Sequence, residues 1–365
     1  MDDVGHMRAA LALARRGLGR VAPNPAVGCV LLRDDIVVGR GWTQPGGRPH
    51  AETEALRRAG AAAAGATAYV TLEPCAHHGS TPPCADALIA AGVSRVVAAI
   101  EDPDPRVAGR GLDRLRAAGI SVDLGICAEE ARQLNAGFLK RVEAGLPLVT
   151  LKLATSLDGK IATHTGESRW ITGAPARALG HMLRRQHDAV MVGSGTVLAD
   201  DPELTVRLPG LGDPPPRRIV VDGRLRTPLT AKLVATAGQV PTTIVTLAGV
   251  DPLRAGAFRD CGVTVIEIHR DADGNVDLAA ALQALAKQGL TRILVEGGAT
   301  LAASLLRGRL VDRIAWFRSA GLIGGDGLGA VKPFGVDRLA DQALGTRLSV
   351  MRLGQDLLET FALSA

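Results

Sequence analysis

Residues 50–84 read HAETEALRRAGAAAAGATAYVTLEPCAHHGSTPPC, and the reading of this stretch decides the fold of the first third of the chain. Its rhythm comes first. AETEALRRAG has helical spacing, AYVTLEP is an apolar run that stops at a proline, and CADALIAAG, starting at Cys84, is helical again and closes at Gly92. Helix, buried strand and helix in succession are the building unit of an α/β sheet. The chemistry follows the rhythm: His50, Glu52, Cys75 and Cys84 all fall near the ends of those elements.

The alternation continues on both sides. HMRAALALARRGL is helical, and AVGCVLLRDDIVVGRGW reads as two strands joined by a turn at Arg33–Asp35. Downstream come a strand (RVVAAIEDP), a helix (GLDRLRAAG), a short strand (ISVDLGI) and a helix over 128–143 that runs into Gly145 and Pro147. A second series then begins, with strands in LVTLKLATSLDGKIA, HDAVMVGSGTVLADD, RRIVVDG, TTIVTLA, VTVIEI, RILVEGGATLAASLL and RIAWFRSAGLIGG. The pattern predicts two α/β domains, 1–146 and 147–365, each a sheet covered by helices.

Composition narrows the class. A chain of 365 residues with 47% hydrophobic content suits a globular protein of about two or three domains. Aromatic residues make up only 2%, so the cores must be built from Ala, Val, Leu and Ile. No internal repeat is visible, and the Ala/Gly run at 59–66 is the extent of low complexity. A net charge of +5 suits a phosphorylated ligand, nucleic acid or a mildly basic surface equally well. Five cysteines at irregular spacing do not form a disulfide framework. The N-terminus starts acidic and carries arginines within its apolar stretch, unlike a signal peptide, and no apolar run approaches about 18 residues. A reduced, cytoplasmic setting without membrane association is expected.

Zinc prefers thiolate sulfur and imidazole nitrogen, and a catalytic zinc takes three protein ligands and keeps one position open. His50, Cys75 and Cys84 supply that count. A position at a helix start favours the thiolate form of Cys84. Glu52 is not needed as a ligand, and a carboxylate beside an activated water carries its proton to a leaving amine. His-x-Glu followed by Pro-Cys and a second Cys is the pattern of zinc deaminases, here with eight residues between the cysteines. A structural zinc site or two buried free cysteines are the bland alternatives. Three ligands plus a spare glutamate, each at an element end, favour catalysis.

Taken together, PNPAVGCVL, PHAETEAL, TLEPCAHHGSTPPC and EDPDPRVAGRG resemble the deaminase half of the bifunctional riboflavin biosynthesis deaminase/reductase. LKLATSLDGKIA, SRWITG, MVGSGTVLADDPELTVR, VEGGATLAASLL and GLIGGDG resemble its pyrimidine reductase half, in family order. The resemblance implies a cytidine-deaminase-like three-layer α/β/α domain followed by a dihydrofolate-reductase-like α/β domain. It implies zinc-dependent hydrolytic deamination of 2,5-diamino-6-ribosylamino-4(3H)-pyrimidinone 5′-phosphate, then NADPH-dependent reduction of the ribosyl to a ribityl chain. One zinc per chain would sit on His50, Cys75 and Cys84, with Glu52 as proton carrier. Ala154, Trp170, Thr196, Asp200 and Gly298 would lie along NADPH, and Ser168, Arg184, Leu204, Arg207 and Glu296 would contact the substrate. The partners implied are small molecules and a second copy of the chain, not nucleic acid. A nucleic-acid deaminase with an unrelated C-terminal module is the rival reading, and the scarcity of aromatic side chains for base stacking argues against it.

Some of these assignments have independent support. VEGGATLAASLL reads as strand, Gly-Gly turn and helix, whose first N–H groups can cradle a phosphate. GSGTVLADDPELTVR reads as one polar loop holding Gly193, Gly195, Thr196, Asp200 and Arg207. Arg184 and Arg207 suit a phosphate, although Arg184 beside Arg185 reads on spacing alone as a surface charge. His181, His187 and His269 fit no ligand spacing and read as surface or packing residues, and His77 is a candidate substrate contact. Three positions depart from the family pattern: Ser80 where a basic residue is usual, Asp104 in place of asparagine, and Thr43 near a usual histidine. All three are expected to face the ribose-phosphate end of the deaminase substrate.

Overall fold

The computed structural model describes residues 2–77, 82–105, 107–212 and 214–363. The chain divides into two compact units, Met1–Leu146 and Pro147–Ala365.

The first unit runs α1 (Asp3–Ala14), β1 (Gly28–Arg33), β2 (Ile36–Trp42), α2 (Ala51–Ala59), β3 (Thr67–Val70), α3 (Cys84–Ala90), β4 (Arg95–Ala98), α4 (Arg110–Ala117), β5 (Ser121–Leu124) and α5 (Ala128–Ala144). Its strands line up as β2-β1-β3-β4-β5. β1 is antiparallel to both neighbours, whereas β3, β4 and β5 are parallel. Helices α1 and α5 touch one another, as do α2, α3 and α4 in sequence. The core between them is aliphatic, with Val30, Leu31, Val70, Leu88, Val96 and Val97 almost wholly buried. The seat of α2 is set by Gly41 in β2: a Cβ there would lie 2.0 Å from the Ala51 carbonyl oxygen. Backbone therefore packs on backbone at the start of α2, the turn that carries Glu52.

The second unit runs β6 (Leu148–Thr155), β7 (Lys160–Ala162), α6 (Ala174–Arg185), β8 (Ala189–Gly193), α7 (Ser194–Asp200), β9 (Arg217–Val221), α8 (Lys232–Ala235), β10 (Thr242–Leu247), α9 (Pro252–Asp260), β11 (Thr264–Ile268), α10 (Leu278–Lys287), β12 (Arg292–Glu296), α11 (Ala299–Arg307), β13 (Arg313–Arg318), β14 (Leu328–Gly329), β15 (Gly345–Leu353) and β16 (Asp356–Leu363). Among the described residues its main sheet has the order β11-β10-β9-β8-β12-β6-β13-β16-β15. The strands from β11 to β13 are parallel, and β16 and β15 add an antiparallel edge. The inner strands have apolar centres, as strands covered on both faces do, with Val190, Val192, Ile293, Leu294 and Val295 buried. The carboxyl ends of parallel strands are where such sheets bind ligands.

One local expectation is corrected. Residues 194–200 are not part of a polar loop but form α7. Gly195, Thr196 and Val197 are weak helix formers, yet Val197 is buried against the core beneath β8 and β9, and this docking overrides propensity. Asp201, in the left-handed region, ends the helix.

Candidate active sites

In the first unit, the end of one loop and the starts of two helices converge. His50 precedes α2 at its N-cap position, Cys84 opens α3, and Cys75 lies in the loop that follows β3. The His50 Nδ1 lies 3.3 Å from Cys84 Sγ and 3.7 Å from Cys75 Sγ. All three donor atoms lie within 4.8 Å of one another. Zinc bonds of about 2.3 Å to sulfur and about 2.0–2.1 Å to nitrogen, set at tetrahedral angles, put donor atoms roughly 3.5–3.8 Å apart. The donor set therefore fits zinc in both chemistry and spacing.

Thiolate preference falls on Cys75, not Cys84 as its place in the helix suggests. The Cys84 N–H at the start of α3 donates to Cys75 Sγ at 3.3 Å. Cys75 is held down to about 4, chiefly by the Cys84 thiol, with burial opposing and His50 reinforcing. Cys84 is pushed well up, first because its thiol donates to Cys75 and then by burial. A bound divalent cation would favour the thiolate form of both sulfurs.

Glu52 is 3% exposed, in the first turn of α2 beside these groups. Burial and the charge on Cys75 push its carboxyl up to about 7, although His50 pulls the other way. A carboxyl balanced between its two forms near neutrality suits a group that must take and return a proton. The surrounding cavity is bordered by Asn24, Thr43, Arg48, His77, Asp102 and Asp104, together with Glu52 and His50. Thr43 uses its hydroxyl to accept from the Val27 N–H at 3.0 Å, and Asp104 donates its own N–H to Asp102. Ser80 lies outside the described residues.

The second unit carries another cavity at the carboxyl end of its sheet. Ala154, Ser168, Trp170, Arg184, Asp200, Leu204 and Arg207 all border it. Glu296, at the end of β12, grips Arg184 through two hydrogen bonds of 2.5 and 3.0 Å. Arg184 is thus no surface charge. It also donates to the Thr205 carbonyl at 2.8 Å, which fixes the segment carrying Leu204 and Arg207. Burial would push Glu296 up, but Arg184 and Lys152 outweigh it and hold the carboxyl at about 2. His181 also belongs here, because its Nδ1 accepts from the Arg207 N–H at 3.3 Å. His187 is buried as a packing residue and His269 is exposed.

Thr196 and Gly298 lie together in a separate place. Gly297 and Gly298 have φ of +83° and +90°, and a Cβ on Gly297 would meet the Thr196 hydroxyl at 3.2 Å. Side chains are thus excluded where backbone N–H groups enter α11, leaving a cradle that suits a pyrophosphate.

Comparison with known proteins accounts for both units. Residues 1–100 match the cytidine and deoxycytidylate deaminase zinc-binding region, and residues 147–357 match the RibD C-terminal domain. The chain is 43% identical to riboflavin biosynthesis protein RibD of Escherichia coli, over 98% of each chain. It is 41% identical to the protein of the same name from Aquifex aeolicus, again over 98% of each. The chain belongs to the bifunctional riboflavin biosynthesis deaminase/reductase family. It is accordingly a hydrolase and an oxidoreductase in one polypeptide. Among solved structures, RibD of Acinetobacter baumannii superposes with a TM-score of 0.89 at 40% identity, covering 100% of this chain and 99% of that one. The diaminohydroxyphosphoribosylaminopyrimidine deaminase/5-amino-6-(5-phosphoribosylamino)uracil reductase of Thermotoga maritima gives 0.86 at 32% identity, covering 99% of each. Among the described residues no helix is long and apolar enough to cross a membrane.

Sequence reading assigned no role to several residues at these family sites. Glu73 is 3% exposed and accepts four backbone N–H groups, from Asp102, Gly109, Gly111 and Leu112, at 2.8–3.3 Å. Its signal was a lone carboxylate inside the apolar run AYVTLEP. Arg48 is the one Arg or Lys among the described residues bordering the first cavity. Lys152 and Arg177 border the second, where the Arg177 guanidinium lies 4.5 Å over the Trp170 ring.

Proposed function

We propose that residues 1–146 deaminate 2,5-diamino-6-ribosylamino-4(3H)-pyrimidinone 5′-phosphate and that residues 147–365 reduce the ribosyl chain of the product with NADPH. The observation that carries the first half is the convergence of His50, Cys75 and Cys84 around one point, with Glu52 buried beside it. One zinc per chain, held by those three residues, would lower the pKa of a water toward neutrality. Glu52 takes a proton from the attacking water and delivers one to the amine as it leaves the ring. Its burial keeps the proton from bulk solvent between the two transfers.

In the second half, NADPH would supply a hydride to C1′ of the opened sugar, where the ring-opened ribosylamine has a C=N bond to the pyrimidine's amino nitrogen, and that nitrogen takes up the proton. Ala154, Trp170 and Asp200 line the nicotinamide side, and Thr196 and Gly298 the pyrophosphate. Ser168, Leu204 and Arg207 hold the substrate, with Arg207 suited to its phosphate. Arg184 and Glu296 orient it as a pair. Because Arg184 keeps Glu296 ionised, Glu296 accepts hydrogen bonds and does not donate the proton of the reduction.

The protein works in the cytoplasm, where its five free cysteines stay reduced. It assembles with a second copy through β15, an edge strand that exposes Leu348, Val350 and Met351. Light scattering on the purified chain reads that assembly.

The test of the reaction is a coupled assay on metal-replete protein, reading ammonia release and loss of NADPH absorbance. Glu52→Gln should retain zinc by metal analysis while ammonia release falls at least about a thousandfold. Normal deamination by that variant refutes the role of Glu52. Deamination without NADPH oxidation refutes the second half.

A further inference from the structure

We infer that Asp158 is a positioning residue of the reductase half: its carboxylate ties the loop after β13 to the turn after β6, and the tie fixes the wall beside which the hydride is transferred. This rests on the proposed reading of the second unit as an NADPH-dependent reductase. Asp158 lies in TSLDGKIA (155–162) and its distant partners lie in GLIGGDG (321–327), and neither stretch supplies a residue to the proposed reaction.

β6 and β13 are adjacent and parallel, with Thr155 opposite Arg318, so their carboxyl ends release two connections side by side. The first is a self-built turn. Ser156 Oγ accepts from the Lys160 N–H at 2.9 Å, and the Ser156 N–H donates to the Lys160 carbonyl at 2.9 Å. Residues 156–160 therefore move as one piece. Ala154 before this turn and Ile161 after it both border the second cavity. Whatever holds the turn holds that wall, which the proposed reading sets against the nicotinamide.

The second connection has little packing to hold it. None of residues 320–326 is buried, and Leu322 is 73% exposed. Polar ties to the turn take that role. Asp158 Oδ1 accepts from the Ser156 hydroxyl at 2.6 Å and from the Ile323 N–H at 3.2 Å, and Oδ2 accepts from the Gly324 N–H at 2.7 Å. Lys160 Nζ donates to the Gly325 carbonyl at 3.1 Å, so three successive residues are gripped from one turn. The Ser156 hydroxyl and the Gly324 N–H hold the Asp158 carboxyl down to about 2, which keeps it an acceptor at neutral pH. An aspartate that only shaped its own turn would need Ser156 alone, whereas Ile323 and Gly324 are 165 and 166 positions away.

The rest of the connection is anchored elsewhere. β14 pairs with β7, the Ala330 N–H donates to the Gly159 carbonyl at 3.2 Å, and the Lys332 N–H donates to the Ala299 carbonyl, in the first turn of α11, at 3.1 Å. The Leu157 N–H also donates to the Gly321 carbonyl at 2.7 Å, a single bond that fixes a distance but not an orientation. Loss of the Asp158 carboxylate thus frees the loop tip and the turn without dismantling the sheet or the Gly298 cradle.

The test uses the full-length protein and Asp158→Asn. This variant keeps the shape but leaves the Ile323 or the Gly324 N–H facing an amide NH2, whichever way the amide points. Hydrogen exchange across 321–326 should quicken by at least about tenfold, while calorimetric affinity for NADP+ stays within about threefold, because the pyrophosphate is held at α11. With protein in excess over NADPH and the deaminated pyrimidine saturating, the single-turnover rate constant for NADPH oxidation should fall about ten- to a hundredfold at full amplitude. A merely structural loss would lower the amplitude and leave the rate constant alone. Asp158→Glu keeps both acceptor oxygens on a longer arm and should stand between parent and Asp158→Asn. Parent-like exchange across 321–326, or quickened exchange with the parent's rate constant, overturns the inference and leaves the NADPH reading standing. A parent that neither binds NADP+ nor oxidises NADPH takes down the reading and the inference together.

Discussion

Glu73 offers the most direct test of how the deaminase cavity is built. Its two carboxylate oxygens divide four backbone N–H groups evenly. Oε1 takes those of Gly111 and Leu112 at 2.8 and 3.3 Å, and Oε2 those of Asp102 and Gly109 at 3.1 and 3.0 Å. Close approach is enforced from the other side, since a Cβ on Gly111 would lie 1.9 Å from the Pro74 carbonyl oxygen. Glu73→Gln preserves shape but replaces one acceptor oxygen with an NH2 group. Whichever way the amide points, two N–H donors lose their acceptor and face another donor. At about 1–2 kcal/mol for each buried donor left unsatisfied, the segment should loosen by about 2–4 kcal/mol. That corresponds to roughly 30- to 1000-fold faster amide exchange across 102–112, read by hydrogen-exchange mass spectrometry on the full-length protein. Asp102, Asp104 and Val107 on this segment border the cavity, so KM for deamination should rise while zinc content holds. Exchange within threefold of the parent, with KM unmoved, would refute the clamp.

Three further outcomes follow from other groups. Glu296→Ala leaves Arg184 buried without its carboxylate and should cost the second unit about 3–5 kcal/mol, and Arg184→Met/Glu296→Leu should recover much of this in urea unfolding. A single variant as stable as the parent would show that the Thr205 carbonyl and solvent suffice for Arg184. His187 donates from Nδ1 to the Leu183 carbonyl at 2.7 Å, and its Nε2 lies 3.0 Å from the Thr150 hydroxyl, which can donate to it when the ring is neutral. Burial, with Arg292 nearby, pushes it down to about 3. Its folded value lies below the unfolded one, so the unfolded chain gains the proton first and stability is lost as pH falls from about 6.5 toward 3. Between pH 7 and 4.5 the loss from this residue is on the order of 2–3 kcal/mol, and His187→Gln should flatten the unfolding profile by that amount; an unchanged slope contradicts it. Finally, Ser80→Arg should lower the deaminase KM for the phosphorylated substrate without altering kcat, and an unmoved KM would place the phosphate contact elsewhere.

Much of this architecture is written locally. The strands of both units are short apolar runs bounded by Gly, Pro or charged residues. The candidate ligands stand at element ends, where a backbone direction and a side chain can be inferred together. What local pattern cannot carry is the meeting of segments far apart in the chain. Arg184 and Arg185 are consecutive charges on an amphipathic helix, and nothing in their spacing distinguishes the one that turns inward. Its partner, Glu296, is 112 residues away. Helix α7 is another such case, because weak helix formers are held by what they dock on.

Thiol chemistry gives the sharper lesson. A helix start was expected to favour the thiolate at Cys84, which opens α3. The first amide of that helix is indeed used, but it points at the sulfur of Cys75, nine residues back in the chain. A helix terminus acts on whatever group lies on its axis, not on the side chain that happens to occupy its first position. The same logic separates the two carboxylates of the deaminase unit. Glu73 faces four amides and stays a fixed anchor, whereas Glu52 faces sulfur and buried apolar surroundings and is pushed toward neutrality. Two buried glutamates 21 positions apart in one sequence are therefore given opposite tasks by the donors that meet them, and exchanging those donors, not the glutamates, is what would exchange the tasks.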